Sequence, residues 1–342
     1  MDVAIQPPAV MELRQMPPRK PFIRSLLPIR QHEAKRVLAF MLPGGGAHGC
    51  FGAAVLATLL THPDLYNVEI AASVGASAGA INGGIATSAL QQVKLTETQR
   101  RRLAAERLDA FWQENVIDNF WLSGMLNAFQ ATSAFCEQTF NRNKPDWVPE
   151  CSLNGQYATR FLEPKLRKFI PEPLSKPKKH LPQMFVGTSR MTGRHSFEPA
   201  VHGNDVIDPS VLLASGGLVD IFGARKLYDG SWHADGAYTA NPNEAPLQDM
   251  KKVTDVIWIM NDPADRPISK SSKLKSAWEQ IAPYRQTASG QRHHEIHLDR
   301  RLPEYTRIIP TVSQNETLWK DGVKAAHEFM RSQWPQPAYA AA

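Results

Sequence analysis

Two short, uninterrupted apolar runs, each ending in glycines, dominate the hydrophobic pattern. The first is Arg36-Val37-Leu38-Ala39-Phe40-Met41-Leu42, which runs into Pro43-Gly44-Gly45-Gly46-Ala47-His48-Gly49. The second is Glu69-Ile70-Ala71-Ala72-Ser73-Val74, which runs into Gly75-Ala76-Ser77-Ala78-Gly79. Runs of this length and composition predict strands buried in the middle of a sheet. Cys50 to Leu60 is apolar on nearly every face and predicts a helix buried behind the first glycine loop. The small residues after Ser77 predict a second helix packed close behind the second loop.

Farther along, the period changes. Thr96 to Val116 has apolar positions at Ala104, Leu108, Phe111, Trp112 and Val116, behind a Thr96-x-x-Gln99 capping pattern, and predicts an amphipathic helix. Asn119 to Trp147 has no regular period but is dense in large apolar residues, among them Phe120, Trp121, Phe129, Phe135 and Phe140. Asn154 to Phe169 reads as helical, and Met184 to Arg190 as a strand that turns at Thr192-Gly193 into another. Val211 to Phe222 reads as a short helix ending at glycines, Val253 to Met260 as a central strand, and Glu316 to Trp334 as a helix with a docking stripe. Alternating strands and helices with buried, parallel-type runs predict a three-layer α/β/α domain with a mostly parallel central sheet. There is no internal repeat.

The chain has 342 residues, 42% of them hydrophobic, enough for a full core. Residues 1–32 differ in composition: six prolines alternate with Arg14, Arg19, Lys20, Arg24 and Arg30 without a sustained period, which predicts an extended arm. The main domain is expected over 33–342, with 118–150 as a helical insertion or a lid. No window has the length and hydropathy of a membrane span, and the first 31 residues lack the apolar centre of a signal peptide. The expected location is the cytoplasm, with peripheral contact to an anionic membrane or export by a signal-free route left open. Cys50, Cys136 and Cys151 are odd in number and lack ligand spacing, so free thiols are expected and a metal site is not. The net charge of +6 favours anionic partners, phospholipid surfaces as well as nucleic acid.

The chemistry is concentrated in the two glycine loops. Gly75-x-Ser77-x-Gly79 after a strand is a nucleophile elbow, a tight turn that sets the serine hydroxyl at a helix N-terminus where aligned amides stabilise negative charge. The glycines of residues 44–49 free several backbone N–H groups to converge on one anionic oxygen, a phosphate or an acyl oxyanion. Gly44 to Gly49 also satisfies Gly-x-Gly-x-x-Gly, with Asp64 or Glu69 near the position of a ribose-binding acid, so a dinucleotide-binding oxidoreductase is a rival. Against it, the second strand ends in a nucleophile elbow and not in a carboxylate. Parallel strands present their loops at one edge, which places the glycine loop beside Ser77.

Ser77 needs a proton acceptor. His293, His294, His297 and His327 would give the usual hydrolase order, but none has a supporting motif. Asp235-Gly236-Ala237, followed by Asn241-Pro242, places a carboxylate on a turn; Asp229-Gly230 is an equally good turn, and the segment alone does not choose between them.

Taken together, Gly44-Gly45-Gly46-Ala47-His48-Gly49, Gly75-Ala76-Ser77-Ala78-Gly79 and Asp235-Gly236-Ala237 with Asn241-Pro242 resemble the patatin-like phospholipase family, in order and in the short gap between the first two. The similarity runs over about residues 36–330, and Ala214-Ser215-Gly216-Gly217 resembles the family's stretch upstream of its aspartate. The resemblance implies a Ser77–Asp235 dyad without histidine, an oxyanion hole from the amides of Gly44, Gly45, Gly46 and Ala47, and acyl-enzyme hydrolysis of phospholipids or other long-chain esters. It implies no metal, organic cofactor or nucleic-acid partner. It favours Asp235 over Asp229 because only Asp235 has Asn241-Pro242 at the family's spacing. His48 stands where family members commonly carry arginine or lysine, which makes the charge there pH-dependent. A non-catalytic lipid- or protein-binding relative is the other alternative, and nothing in the residues sets the oligomeric state.

Overall fold

The computed structural model describes residues 36–115, 162–171, 173–174, 180–193, 196–219, 223–265, 290–302, 307 and 311–334. The arm at 1–32, the 118–150 region, Cys136 and Cys151 lie outside the described residues.

The strands are β1 (Val37–Leu42), β2 (Glu69–Ala76), β3 (Gln183–Gly193), β4 (Ser196–His202), β5 (Arg225–Lys226), β6 (Trp232–Asp235), β7 (Asp255–Met260) and β8 (Arg292–His297). The helices are α1 (Gly49–Thr61), α2 (Ala78–Leu90), α3 (Glu97–Glu114), α4 (Glu163–Phe169), α5 (Pro209–Ser215), α6 (Ala245–Gln248) and α7 (Val312–Ser332). Among the described residues the strands form one mixed sheet in the order β5-β6-β3-β2-β1-β7-β8, with β4 also paired to β3. β3, β2, β1, β7 and β8 are parallel.

The apolar runs read from the sequence are the central strands. Along β1, Leu38, Phe40 and Leu42 face the core beneath α1, α2, α3 and α7, while Val37, Ala39 and Met41 face a smaller core with Leu247 of α6 and Val253. Burial on both faces explains why these strands lack an alternating pattern. The result is the expected three-layer α/β/α arrangement. No described helix is long and apolar enough to cross a membrane.

α3 begins where its capping box predicts: the Gln99 amide donates to Thr96 Oγ1 and the Thr96 amide to Gln99 Oε1. Other boundaries differ from the sequence expectation. α5 starts at Pro209, after Asp208, whose carboxylate accepts the Val211 amide; α7 starts at Val312, after the Thr311 cap. Both starts precede the apolar stripe because the cap, not the stripe, sets a helix N-terminus. The histidine-rich β8 was not legible as a strand: its side chains Arg292, His293, His294, Glu295 and His297 are only partly buried or exposed, and it pairs with β7 at the sheet margin.

The connection of β3 to its neighbours sets up the site. Val186 and Gly187 pair with β2 on one edge and with β4 on the other. Thr188 to Arg190 pair with β4 and, in the place β2 has vacated, with β6. β2 and β6 therefore share one edge of β3 and meet end to end, Ala76 opposite Gly187 and Asp235 opposite Thr188.

Candidate active site

That meeting point brings together two residues 158 positions apart. Ser77 is the first residue past β2 and Asp235 is the last residue of β6. The Asp235 carboxyl lies beside the Ser77 side chain, and both residues are buried, at 2% and 8% exposure. Asp229, by contrast, lies in the exposed turn before β6, where it accepts from the Ser231 amide and bonds His233 Nε2.

Ser77 has φ 53° and ψ −128°, a left-handed conformation rare for a residue with a side chain. Such strain costs roughly 1–3 kcal/mol and persists only where the surroundings enforce it. Here they do. The Ser77 amide donates to Ser215 Oγ at 2.9 Å, and its carbonyl accepts the Ile81 amide at 3.2 Å. Gly79 lets α2 approach β1 so closely that a Cβ there would lie 1.8 Å from the Leu42 carbonyl oxygen. α2 is buried along its whole length, and its N-terminus directs a partial positive charge at Ser77.

Asp235 is held from three sides. Its amide donates to the Gly217 carbonyl at 2.9 Å, its Oδ1 accepts the Ala237 amide at 2.9 Å, and the Ser77 side chain lies on the remaining side. Burial pushes its carboxyl up to about 7, and the Ala237 amide and the Ser77 side chain, which favour the ionised form, oppose that rise. The carboxylate therefore has a proton affinity suited to taking and returning a proton near neutral pH.

The glycine loop lies directly over Ser77. A Cβ on Gly44 would stand 2.7 Å from Ser77 Cβ, so only glycine fits. The Gly44 amide, expected among the oxyanion donors, instead donates to Asn241 Oδ1 at 2.7 Å. Its N–H is committed because Asn241, a few residues past Asp235, returns to clamp the loop. The amides of Gly45, Gly46 and Ala47 have no acceptor among the described residues. Gly46 has φ 58° and packs under the Arg307 carbonyl. His48 is 1% exposed at the start of α1, buried away from solvent. Gly49 offers its carbonyl to Asn82 Nδ2, Gly75 packs against the first turn of α2, and Gly236 packs against the Gly187 carbonyl.

The other sequence candidates lie elsewhere. His293, His294 and His297 are on β8, three strands from β2, about 14 Å at the usual spacing. His327 is on the exposed side of α7, near His62. Glu69 begins β2, at the end opposite the glycine loop, and pairs with Lys252, while Asp64 is in the exposed turn before β2. Neither acid can reach a ligand at Gly44–Gly49 in the manner of a dinucleotide site.

Asn261 escaped the sequence reading, and Ser215 entered it only as part of the Ala214-Ser215-Gly216-Gly217 stretch, with no role of its own. Ser215 is fully buried, accepting from the Ser77 amide and donating to the Gly187 carbonyl at 2.6 Å. Asn261 donates to the carbonyls of Pro43 and Gly44, at 3.0 and 3.4 Å, and holds the glycine loop from the end of β7. Its place just past the carboxyl end of a central strand was the available signal.

A family model described as patatin-like phospholipase matches residues 40–247. Among solved structures, VipD from Legionella pneumophila is 15% identical, with a TM-score of 0.41 over 87% of this chain and 67% of that one. The type III effector protein ExoU is 12% identical, with a TM-score of 0.35 over 86% of this chain and 52% of that one. ExoU in complex with SpcU, from Pseudomonas aeruginosa, is 11% identical, with a TM-score of 0.33 over 87% and 52%. The chain thus spans about two thirds of VipD and about half of ExoU. A search among curated proteins gave no match. The family model covers more than half of the chain, including both glycine loops and the segment around Asp235, so the chain belongs to the patatin-like phospholipase family, whose members are typically lipid acyl hydrolases.

Proposed function

We propose that the protein is a serine hydrolase that cleaves lipid esters, phospholipids or other long-chain acyl esters, through an acyl-enzyme on Ser77. The observation that carries this reading is the end-to-end meeting of β2 and β6, which sets the buried Asp235 beside Ser77 on its strained elbow.

Ser77 Oγ attacks the ester carbonyl carbon as Asp235 takes its proton. The tetrahedral oxyanion is stabilised by amides of the Gly45–Ala47 loop and by the α2 N-terminus. Collapse breaks the C–O bond, and the proton on Asp235 passes to the departing alcohol. Asp235 then draws a proton from water, which attacks the acyl carbon. The acid leaves and the proton returns to Ser77. Histidine has no part in the cycle.

The test is fatty-acid release from phospholipid micelles by wild type, Ser77→Ala and Asp235→Asn. The expected result is hydrolysis by wild type and a loss of about 10³-fold or more in each variant. Wild-type rates in Ser77→Ala would overturn the assignment, and equal or better turnover of a soluble short-chain ester would remove the lipid preference.

A further inference from the structure

Five large hydrophobic side chains are exposed among the described residues: Tyr66, Val93, Val201, Tyr228 and Trp232. Val201 is on β4, and the other four divide between the two ends of the sheet. Tyr66 precedes β2 and Val93 follows α2, so both lie at the end remote from Ser77. Tyr228 and Trp232 are on the β5–β6 hairpin, 62% and 46% exposed. β6 runs head-on into the carboxyl end of β2, so its first residue, Trp232, projects on the order of 10 Å beyond Asp235 on the active-site side.

The hairpin tip is fixed in place. The Leu227 amide donates to the Ser231 carbonyl and the Gly230 amide to the Leu227 carbonyl. Beneath the tip lies a buried polar chain: His233 Nε2 is 3.1 Å from Asp229 Oδ2, His233 Nδ1 is 2.9 Å from Thr188 Oγ1, Thr188 Oγ1 is 2.7 Å from His202 Nε2, and His202 Nδ1 is 3.0 Å from the Tyr228 hydroxyl. The Asp229 carboxylate is thereby turned back on His233, while the exposed Lys226 stands opposite Trp232 in the ladder.

The geometry points to the β5–β6 hairpin as the element that docks the protein on an anionic lipid surface, with Trp232 and Tyr228 at the headgroup level and Lys226 against lipid phosphate. Tryptophan and tyrosine combine an apolar body with a polar tip and collect at the membrane–water boundary. A lysine beside them adds attraction to anionic headgroups, in keeping with the net charge of +6. A surface so close to Asp235 would bring ester and Ser77 together while the lipid is still in its bilayer. This inference rests on the lipid-ester reading above, and the two can fail separately.

The experiment is vesicle flotation in a Ser77→Ala background, so that hydrolysis does not change the lipid, with phosphatidylcholine–phosphatidylserine vesicles and with phosphatidylcholine alone. Trp232→Ser is expected to lower partitioning about tenfold. Lys226→Glu, which removes no buried packing, is expected to lower it about tenfold on the anionic vesicles and little on the neutral ones. Val93→Ser, at the far end, leaves it unchanged. With Ser77 restored, Trp232→Ser keeps wild-type turnover of a soluble ester and loses turnover on vesicles. Absent flotation, wild-type flotation of both hairpin variants, or an equal loss in Val93→Ser would overturn the proposal. So would loss of self-association in Trp232→Ser with flotation intact, which assigns the surface to a second copy of the chain. Flotation that depends on Trp232 in a protein that cleaves no ester would uphold the docking surface and end the hydrolase reading.

Discussion

The amide of Ser77 donates to the hydroxyl of Ser215, 138 positions away in the chain, at 2.9 Å. Ser215 passes the connection on to the Gly187 carbonyl, and two residues later the Gly217 carbonyl accepts the Asp235 amide. The end of α5 thus fixes both Ser77, the proposed nucleophile, and Asp235. Ser215→Ala leaves a buried amide and a buried carbonyl without their partner and is expected to cost about 1–3 kcal/mol of stability. Relaxation of the elbow should lower kcat by roughly 10–100-fold with little change in KM. Thermal unfolding and steady-state kinetics on the purified variant measure both, and an unchanged kcat would remove Ser215 from the positioning role.

Two glycines separate catalytic geometry from folding. Gly44→Ala places a methyl 2.7 Å from Ser77 Cβ and 3.4 Å from Ser77 Oγ, so a folded protein with about 10²-fold lower kcat is expected. Gly79→Ala places its methyl against backbone, 1.8 Å from the Leu42 oxygen, and no rotamer relieves that clash. Destabilisation of about 3 kcal/mol or more is expected, seen as insoluble expression or a large fall in Tm.

The pH dependence follows from Asp235. Its carboxyl is pushed up to about 7 by burial, and in the proposed cycle it must be ionised to accept the Ser77 proton. We expect kcat/KM to rise about tenfold per pH unit below 7 and to level above it. Stability runs the other way. A carboxyl that holds its proton more tightly when folded contributes stability that is fully present below about pH 4 and is lost as pH rises through about 7. Asp235→Asn should therefore be the more stable protein at pH 8, by on the order of 2 kcal/mol, while being inactive. Denaturant titrations at pH 5 and pH 8 test the sign.

Asp255 behaves oppositely. It is fully buried at the start of β7; burial alone would raise its carboxyl, but His294, Arg292 Nη2 and Thr254 Oγ1, at 3.0, 2.8 and 2.7 Å, hold it down to about 2. Its contribution is present above pH 4 and lost as pH falls through about 2. Asp255→Ala strands these donors and should cost about 3–5 kcal/mol in urea unfolding at pH 7, without altering the pH profile of activity. A loss below about 1 kcal/mol would mean the cluster is not structural.

What the sequence made legible was local. The strands β1, β2 and β7 are continuous apolar runs and the elbow is a short glycine pattern, while the preference for Asp235 over Asp229 came from the family resemblance, which supplied the meaning of Asn241-Pro242 at its spacing. Non-local relationships were not legible. That β6 takes over the edge of β3 vacated by β2 is a matter of two registers along β3, pairing residues 111 apart with β2 and 43–47 apart with β6, and no local period encodes it. The commitment of the Gly44 amide to Asn241 and the bridge through Ser215 are side-chain-to-backbone bonds across the fold; the sequence singled out both residues within motifs but not the partners they reach. β8 was missed because its outer position lets polar side chains alternate with little apolar signal.

The most direct test of the account is covalent labelling by a fluorophosphonate probe, read by intact mass and peptide mapping on wild type, Ser77→Ala and Asp235→Asn at pH 8. The predicted result is one adduct on Ser77 in wild type, none in Ser77→Ala, and labelling slowed by about 10²-fold or more in Asp235→Asn. An adduct on another residue, or wild-type labelling in folded Asp235→Asn, would contradict the dyad.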